Sequence, residues 1–150
     1  MPRSKIYLPD VNVWLAIASR RHMHHQIASA WLETISDDQL TFCRITQMGL
    51  LRLLTNRHAM GIDVLNQIEA WKAYRRLVSD GRIRFLSEPL GLESAWHELT
   101  VSSQPATHLW TDAYLHAFGR LASARVVSFD RGFSRFRESD ALILGPRTVR

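Results

Sequence analysis

The chain has 150 residues, of which 46% are hydrophobic and 22% charged, a balance that excludes a disordered chain, a collagen-like fibre and a disulfide scaffold. Its 19 basic residues against 14 acidic ones give a net charge of +5, and all the bases except Lys5 and Lys72 are arginine. Guanidinium groups grip phosphate in bidentate fashion and stack on bases, so the surface suits nucleic acid; a GC-rich coding sequence would give the same bias.

Lys5–Pro9 reads as a short strand closed by Pro9, and Asp10 follows it directly. Val11–Ala18 begins a buried helix that the polar stretch Ser19–His25 interrupts, after which Ile27, Ala30, Trp31 and Ile35 resume helical spacing. Ser36–Asp38 is a turn, and Leu40–Cys43 a second strand. Ile45–Leu54 is a helix expected to turn Ile45, Met48 and Leu51 inward, with Leu53 or Leu54. Gly61-Ile62-Asp63 opens another, with Asp63 as N-cap and Val64, Ile68, Trp71 and Val78 on one face, ended by Gly81. Arg82–Leu86 is a third strand, and Leu92–Leu99 a short helix after the Glu88-Pro89 turn. Past the Gln104–Thr107 loop, Trp110–Ala122 is apolar nearly all round and hence mostly buried. Arg125–Phe129 is a fourth strand that ends at Asp130, and Ala141–Leu144 a fifth at the edge.

Strands that alternate with helices predict an α/β fold with a mostly parallel sheet of four to five strands, covered on both faces and forming one domain over residues 1–150. No apolar run approaches the roughly 20 residues of a membrane span. The apolar stretch before Asp10 is too short for a secretory signal, and one cysteine, Cys43, allows no internal disulfide, so the cytoplasm is the expected compartment. Right-handed crossovers bring the strand C-termini to one edge, where α/β sheets bind ligands.

Three aspartates fall at that edge. Asp10 closes the first strand, Asp130 closes the fourth, and Asp112 lies in the first turn of the helix that feeds the fourth. Each sits in apolar sequence, where a carboxylate is costly without a partner. Any one of them could serve as a helix cap or Asx turn. Three together predict a cluster compensated by Mg²⁺ or Mn²⁺, the cations suited to an all-oxygen donor set.

The segments Tyr7–Leu15, Cys43–Leu54, Thr111–Leu115 and Ser128–Phe133 carry a resemblance. They resemble the PIN-domain family and, within it, the VapC ribonuclease toxins of type II toxin–antitoxin modules. The match runs in order from Ile6 to about Phe136, and Asp10-Val11-Asn12 with Phe129-Asp130-Arg131-Gly132-Phe133 is its most specific pair of motifs. The resemblance implies an α/β/α sandwich and Mg²⁺- or Mn²⁺-dependent cleavage of RNA, with Asp10, Asp112 and Asp130 at the first, third and fourth acidic positions. It also implies an antitoxin partner whose C-terminal segment blocks the acidic groove. Homodimerisation is expected to bury apolar helix faces such as that of Val64–Val78. The second acidic position departs from the pattern: Gln47 stands where a Glu is expected, or Gly49 in another alignment.

The aspartates are therefore the expected catalytic and metal-holding residues. Asn12, Gln47, Thr46 and Thr111, with Ser128, are expected to orient them or a metal-bound water. Arg44, Arg52 and Arg131 are the expected RNA phosphate contacts, with pairing to a site carboxylate as the alternative for Arg52. His22, His24 and His25 fit no zinc spacing and read as a solvated turn. Arg135 and Arg137 read as a solvated basic face, with contact to RNA as the alternative, the five tryptophans as packing or dimer contacts, and Cys43 lacks partners for a nucleophile. Three rival functions remain open. One is a PIN-like module that binds RNA or protein without catalysis. Another is a haloacid-dehalogenase-like phosphatase, for which Asn12 stands where an acid is needed and no Lys follows Lys72. The third, a DNA-binding repressor, lacks a helix-turn-helix.

Overall fold

The structure, a computed structural model, describes residues 4–145. Five strands form one parallel sheet in the order β3-β2-β1-β4-β5: β1 is Ile6–Pro9, β2 Gln39–Phe42, β3 Ile83–Phe85, β4 Arg125–Ser128 and β5 Leu142–Ile143. Between them run α1 (Val11–Ala18), α2 (His25–Glu33), α3 (Arg44–Leu54), α4 (Arg57–Met60), α5 (Gln67–Val78), α6 (Leu92–Thr100) and α7 (Leu109–Ala122). Single 3₁₀ turns occupy Gly61–Asp63 and Arg131–Arg135. None of these helices is long and apolar enough to cross a membrane.

Side chains alternate across a strand, and the sheet divides its apolar residues accordingly. Tyr7, Leu40, Phe42 and Val127 face a core built with Trp14, Leu50, Leu54 and Tyr74 of α1, α3 and α5. Leu8 and Val126 face a second core with Leu92, Leu115, Phe118 and Phe133, under α6 and α7. The result is the α/β/α sandwich that the alternation of strands and helices predicts. Trp14 stacks on Phe42 at 3.8 Å between ring centroids, and seven consecutive residues of α7, Ala113–Gly119, are buried.

Two helices present another face than their apolar spacing predicts. In α3 the buried residues are Thr46, Gln47, Leu50 and Leu54, while Ile45 and Met48 lie in solvent. In α5 the buried residues are Ala70 and Tyr74, while Ile68 and Trp71 are exposed. The spacing registers an apolar stripe on each helix, but that stripe is not the one packed on the sheet. The start of α5 also differs: Asn66, not Asp63, is its N-cap, paired reciprocally with Glu69 in a capping box. Asp63 closes a 3₁₀ turn and faces Arg21 at 3.7 Å.

Gly49 permits the close approach of α3 to α1. A Cβ there would stand 2.6 Å from Cγ2 of Val11, so the position has no room for the carboxylate that one alignment assigned to it. Arg82 staples β3 to the end of α2. Its Nη1 donates to the carbonyls of Leu32 (3.0 Å) and Ile35 (2.6 Å), and Nε and Nη2 grip Asp80 at 3.1 and 2.7 Å. Arg82→Ala leaves both carbonyls without that donor and should cost about 2 kcal/mol in urea denaturation.

Candidate active site

The chain runs from β1 outward to β2 and β3, then crosses back to β4 on the other side of β1. The C-terminal ends of β1 and β4 therefore border the point where strand order reverses, which is where open α/β sheets form their clefts. Asp10 follows β1 there, and its N–H donates to the carbonyl of Val127 in β4 at 2.8 Å. Asp130 lies two residues past β4, and Asp112 in the first turn of α7.

Asp10 is the N-cap of α1. Its Oδ1 accepts from the N–H of Val11 at 2.7 Å, and its Oδ2 accepts from the Ser128 hydroxyl at 3.1 Å. Ser128 Oγ in turn accepts from the N–H of Asp130 at 2.9 Å. One buried hydroxyl thus joins the ends of both strands. Asp130 caps the 3₁₀ turn Arg131–Arg135 through Oδ1, which accepts from Gly132 N–H at 2.7 Å. Both strand-end aspartates thus serve as caps, Asp10 of α1 and Asp130 of the 3₁₀ turn.

Burial pushes the Asp10 carboxyl above its ordinary value, and the negative charges of Asp112 and Asp130 push it further; the Val11 and Ser128 hydrogen bonds oppose this. Asp10 is therefore within electrostatic reach of both Asp112 and Asp130. Among the described residues, no three aspartate, glutamate, histidine or cysteine side chains stand close enough to grip a metal ion as they are. One of the three is already occupied by a cation: Arg135 Nη2 lies 2.8 Å from Asp112 Oδ2. The donor set, all carboxylate oxygen with a guanidinium as stand-in cation, fits a hard divalent ion such as Mg²⁺ or Mn²⁺.

The other residues singled out from the sequence are placed as follows. Gln47 is buried, but its Oε1 accepts from Arg44 Nη1 at 2.6 Å instead of meeting an aspartate. Arg44 also covers the Phe85 ring, with its Cζ 4.6 Å from the centroid. Thr46 is spent on helix α3, accepting from Cys43 N–H and donating to Cys43 O. Asn12 and Thr111 are exposed, without side-chain hydrogen bonds among the described residues. Arg52 is exposed and pairs with none of the described carboxylates, so the alternative of a buried pair is not realised. Arg131 is exposed beside Asp130. The histidines form no metal group: His22 Nδ1 accepts from His24 N–H, and His24 stacks on Phe129 at 4.6 Å.

Arg135 was missed because a surface-like arginine in Phe133-Ser134-Arg135-Phe136 looks solvated. The usable signal was its place five residues after a strand-end aspartate, in a turn pinned by two phenylalanines, Phe133 and Phe136, that are buried.

A doubly covered parallel sheet with Asp10 and Asp130 at strand ends beside its switch point defines an α/β class, and sequence comparison narrows it. Residues 7–139 match the PIN domain. Ribonuclease VapC41 of Mycobacterium tuberculosis is 42% identical over 134 residues, covering 86% of this chain and 92% of the relative. The chain therefore belongs to the PIN-domain family, in its VapC branch. Solved structures share the fold. VapBC2 of Rickettsia felis, bound to a promoter DNA fragment, matches with a TM-score of 0.70 at 12% identity, over 93% of this chain and 99% of that one. VapC20 of Mycobacterium tuberculosis, a toxin that cleaves the sarcin–ricin loop, matches with a TM-score of 0.63 at 19% identity, over 89% and 98%.

Proposed function

We propose that the chain is the ribonuclease toxin of a VapBC-type module, hydrolysing RNA phosphodiesters with Mg²⁺ or Mn²⁺ held by Asp10, Asp112 and Asp130. The observation that carries this reading is the linked pair of strand ends: one serine, Ser128, orients Asp10 while receiving Asp130. The 42% identity to a named VapC ribonuclease supports the substrate class.

Asp10, Asp112 and Asp130 would hold the divalent cation, which would supply charge neutralisation for phosphate oxygens and a more acidic water. The protein's part is orientation. Val11 N–H and Ser128 each bond one oxygen of Asp10, and Gly132 N–H holds one oxygen of Asp130, leaving its Oδ2 without a partner among the described residues. Ser128, not Thr46, Thr111 or Asn12, is the side chain that bonds the Asp10 carboxylate, and it receives the backbone N–H of Asp130. Exposed Arg44, Arg52 and Arg131 give RNA phosphates a basic approach. Purified protein should cleave RNA with Mn²⁺ and stop in EDTA; cleavage undiminished by EDTA would reject the reading. A second reading, a binding module without catalysis, is favoured by the uncharged Gln47 and the paired Asp112, and absence of saturable Mn²⁺ binding would select it.

An antitoxin partner is supported by the structural neighbours, several of them toxin–antitoxin complexes. A homodimer through α3 and α5 is supported by the apolar residues these packed helices turn outward: Met48 is 51% exposed, Ile68 68% and Trp71 44%. Ile68→Arg should convert a dimer into a species of 17.3 kDa by light scattering. Wild type at that mass would reject the interface.

A further inference from the structure

Arg135 is the one base among the described residues that forms an ion pair with any of the three aspartates. Its guanidinium is held on three sides. Nη2 grips Asp112 at 2.8 Å, Nη1 donates to Gly132 O at 2.8 Å, and Cζ lies 4.7 Å from the Phe136 centroid. A Cβ built on Gly132 would stand 2.7 Å from Arg135 Nη1 and 2.9 Å from Asp130 Oδ1, so the guanidinium and a second aspartate crowd the same glycine. The Arg135 side chain is 41% exposed and that of Asp112 only 16%: the cation has a way out to solvent, whereas the carboxylate is largely buried.

We propose that Arg135 is a resident counter-ion of the acidic cluster, displaced from Asp112 when a divalent cation enters and thereby freed to bind the RNA phosphate. The inference deepens the nuclease reading and rests on it. A guanidinium keeps its charge at any physiological pH, so it compensates the cluster permanently, but it cannot activate water. Two cations at one carboxylate repel, so metal entry weakens the Arg135–Asp112 pair and competes with it. After displacement, the Gly132 carbonyl and the Phe136 face keep the guanidinium beside the site, where its planar fork matches two phosphate oxygens. Arg135 thus acts in opposite senses on the two ligands, weakening metal binding and strengthening RNA turnover. A merely structural arginine would not do this.

Mn²⁺ binding, read from the electron paramagnetic resonance signal of the free ion, and initial rates of cleavage of total bacterial RNA at saturating Mn²⁺ separate the two effects. Arg135→Gln should bind Mn²⁺ about fivefold more tightly, the value of one partly exposed ion pair, and cleave about 100-fold more slowly. Arg135→Lys keeps the charge without the fork and should restore wild-type Mn²⁺ affinity but only part of the rate. Unchanged or weaker Mn²⁺ binding by Arg135→Gln, with wild type still cutting RNA in a Mn²⁺-dependent way, overturns the counter-ion role and leaves the nuclease reading standing. Tighter Mn²⁺ binding with an undiminished rate overturns the phosphate role. Wild type that neither binds Mn²⁺ nor cuts RNA overturns the nuclease reading, and this inference with it.

Discussion

Asp112→Ala should lower RNA cleavage about 10³-fold while leaving the protein folded. Asp112 stands in the first turn of α7, in a helix whose next seven residues are buried, so the backbone that carries it is fixed by packing and not by its own contacts. Its side chain makes one ion pair, to a partner that is 41% exposed. Losing such a pair costs about 1 kcal/mol or less, because solvent screens the arginine left behind. The activity loss should therefore be out of proportion to any stability loss. Thermal denaturation beside rate measurements on the same preparation checks this, and a parallel collapse of both would mean that Asp112 is structural.

Asp10→Asn should lose cleavage to a similar extent, about 10³-fold, yet make the metal-free protein more stable at neutral pH. The amide oxygen can still cap α1 through Val11 N–H, and the amide group can still meet Ser128. The substitution removes a charge that burial disfavours first and the two neighbouring aspartates disfavour further. The sign of the pH dependence follows. Asp10 holds its proton to higher pH in the folded chain than in the unfolded one, where its value is near 3.8. Its ionisation thus costs stability fully above the folded value, and the cost fades as pH falls from there toward 3.8. The advantage of Asp10→Asn in EDTA should accordingly be present at pH 7 and vanish below about 3.8. Adding Mn²⁺ should reverse the order, stabilising wild type by mass action and not the variant. An Asp10→Asn protein less stable than wild type in EDTA at pH 7 would refute the repelling cluster.

The places of Asp10 and Asp130 at strand ends were legible in the sequence because each is set by local residues. A short apolar strand that ends in an aspartate can be read directly, and Asp10 after Tyr7-Leu8-Pro9 and Asp130 after Val126-Val127-Ser128 both fall where that reading puts them. The parallel order followed from strands alternating with helices. The inward faces of α3 and α5 were not legible. Ile45, Met48, Ile68 and Trp71 are as apolar as core residues, and periodicity cannot tell a stripe that packs on the sheet from one that faces outward. The capping box Asn66–Glu69 was present in the sequence, yet the aspartate of Gly61-Ile62-Asp63 was a competing start signal a few residues earlier. Arg135 was illegible for a different reason. Its partner lies 23 residues away, and nothing local distinguishes an arginine that bridges to a site from one that faces water.

The most direct test of the account is a crystal of the protein soaked in Mn²⁺ and measured for anomalous scattering. The account predicts a peak within about 2.2 Å of carboxylate oxygens of Asp10 and Asp112, with Arg135 moved off Asp112. A fully soaked crystal with no peak between those carboxylates and the Arg135–Asp112 pair intact would contradict it.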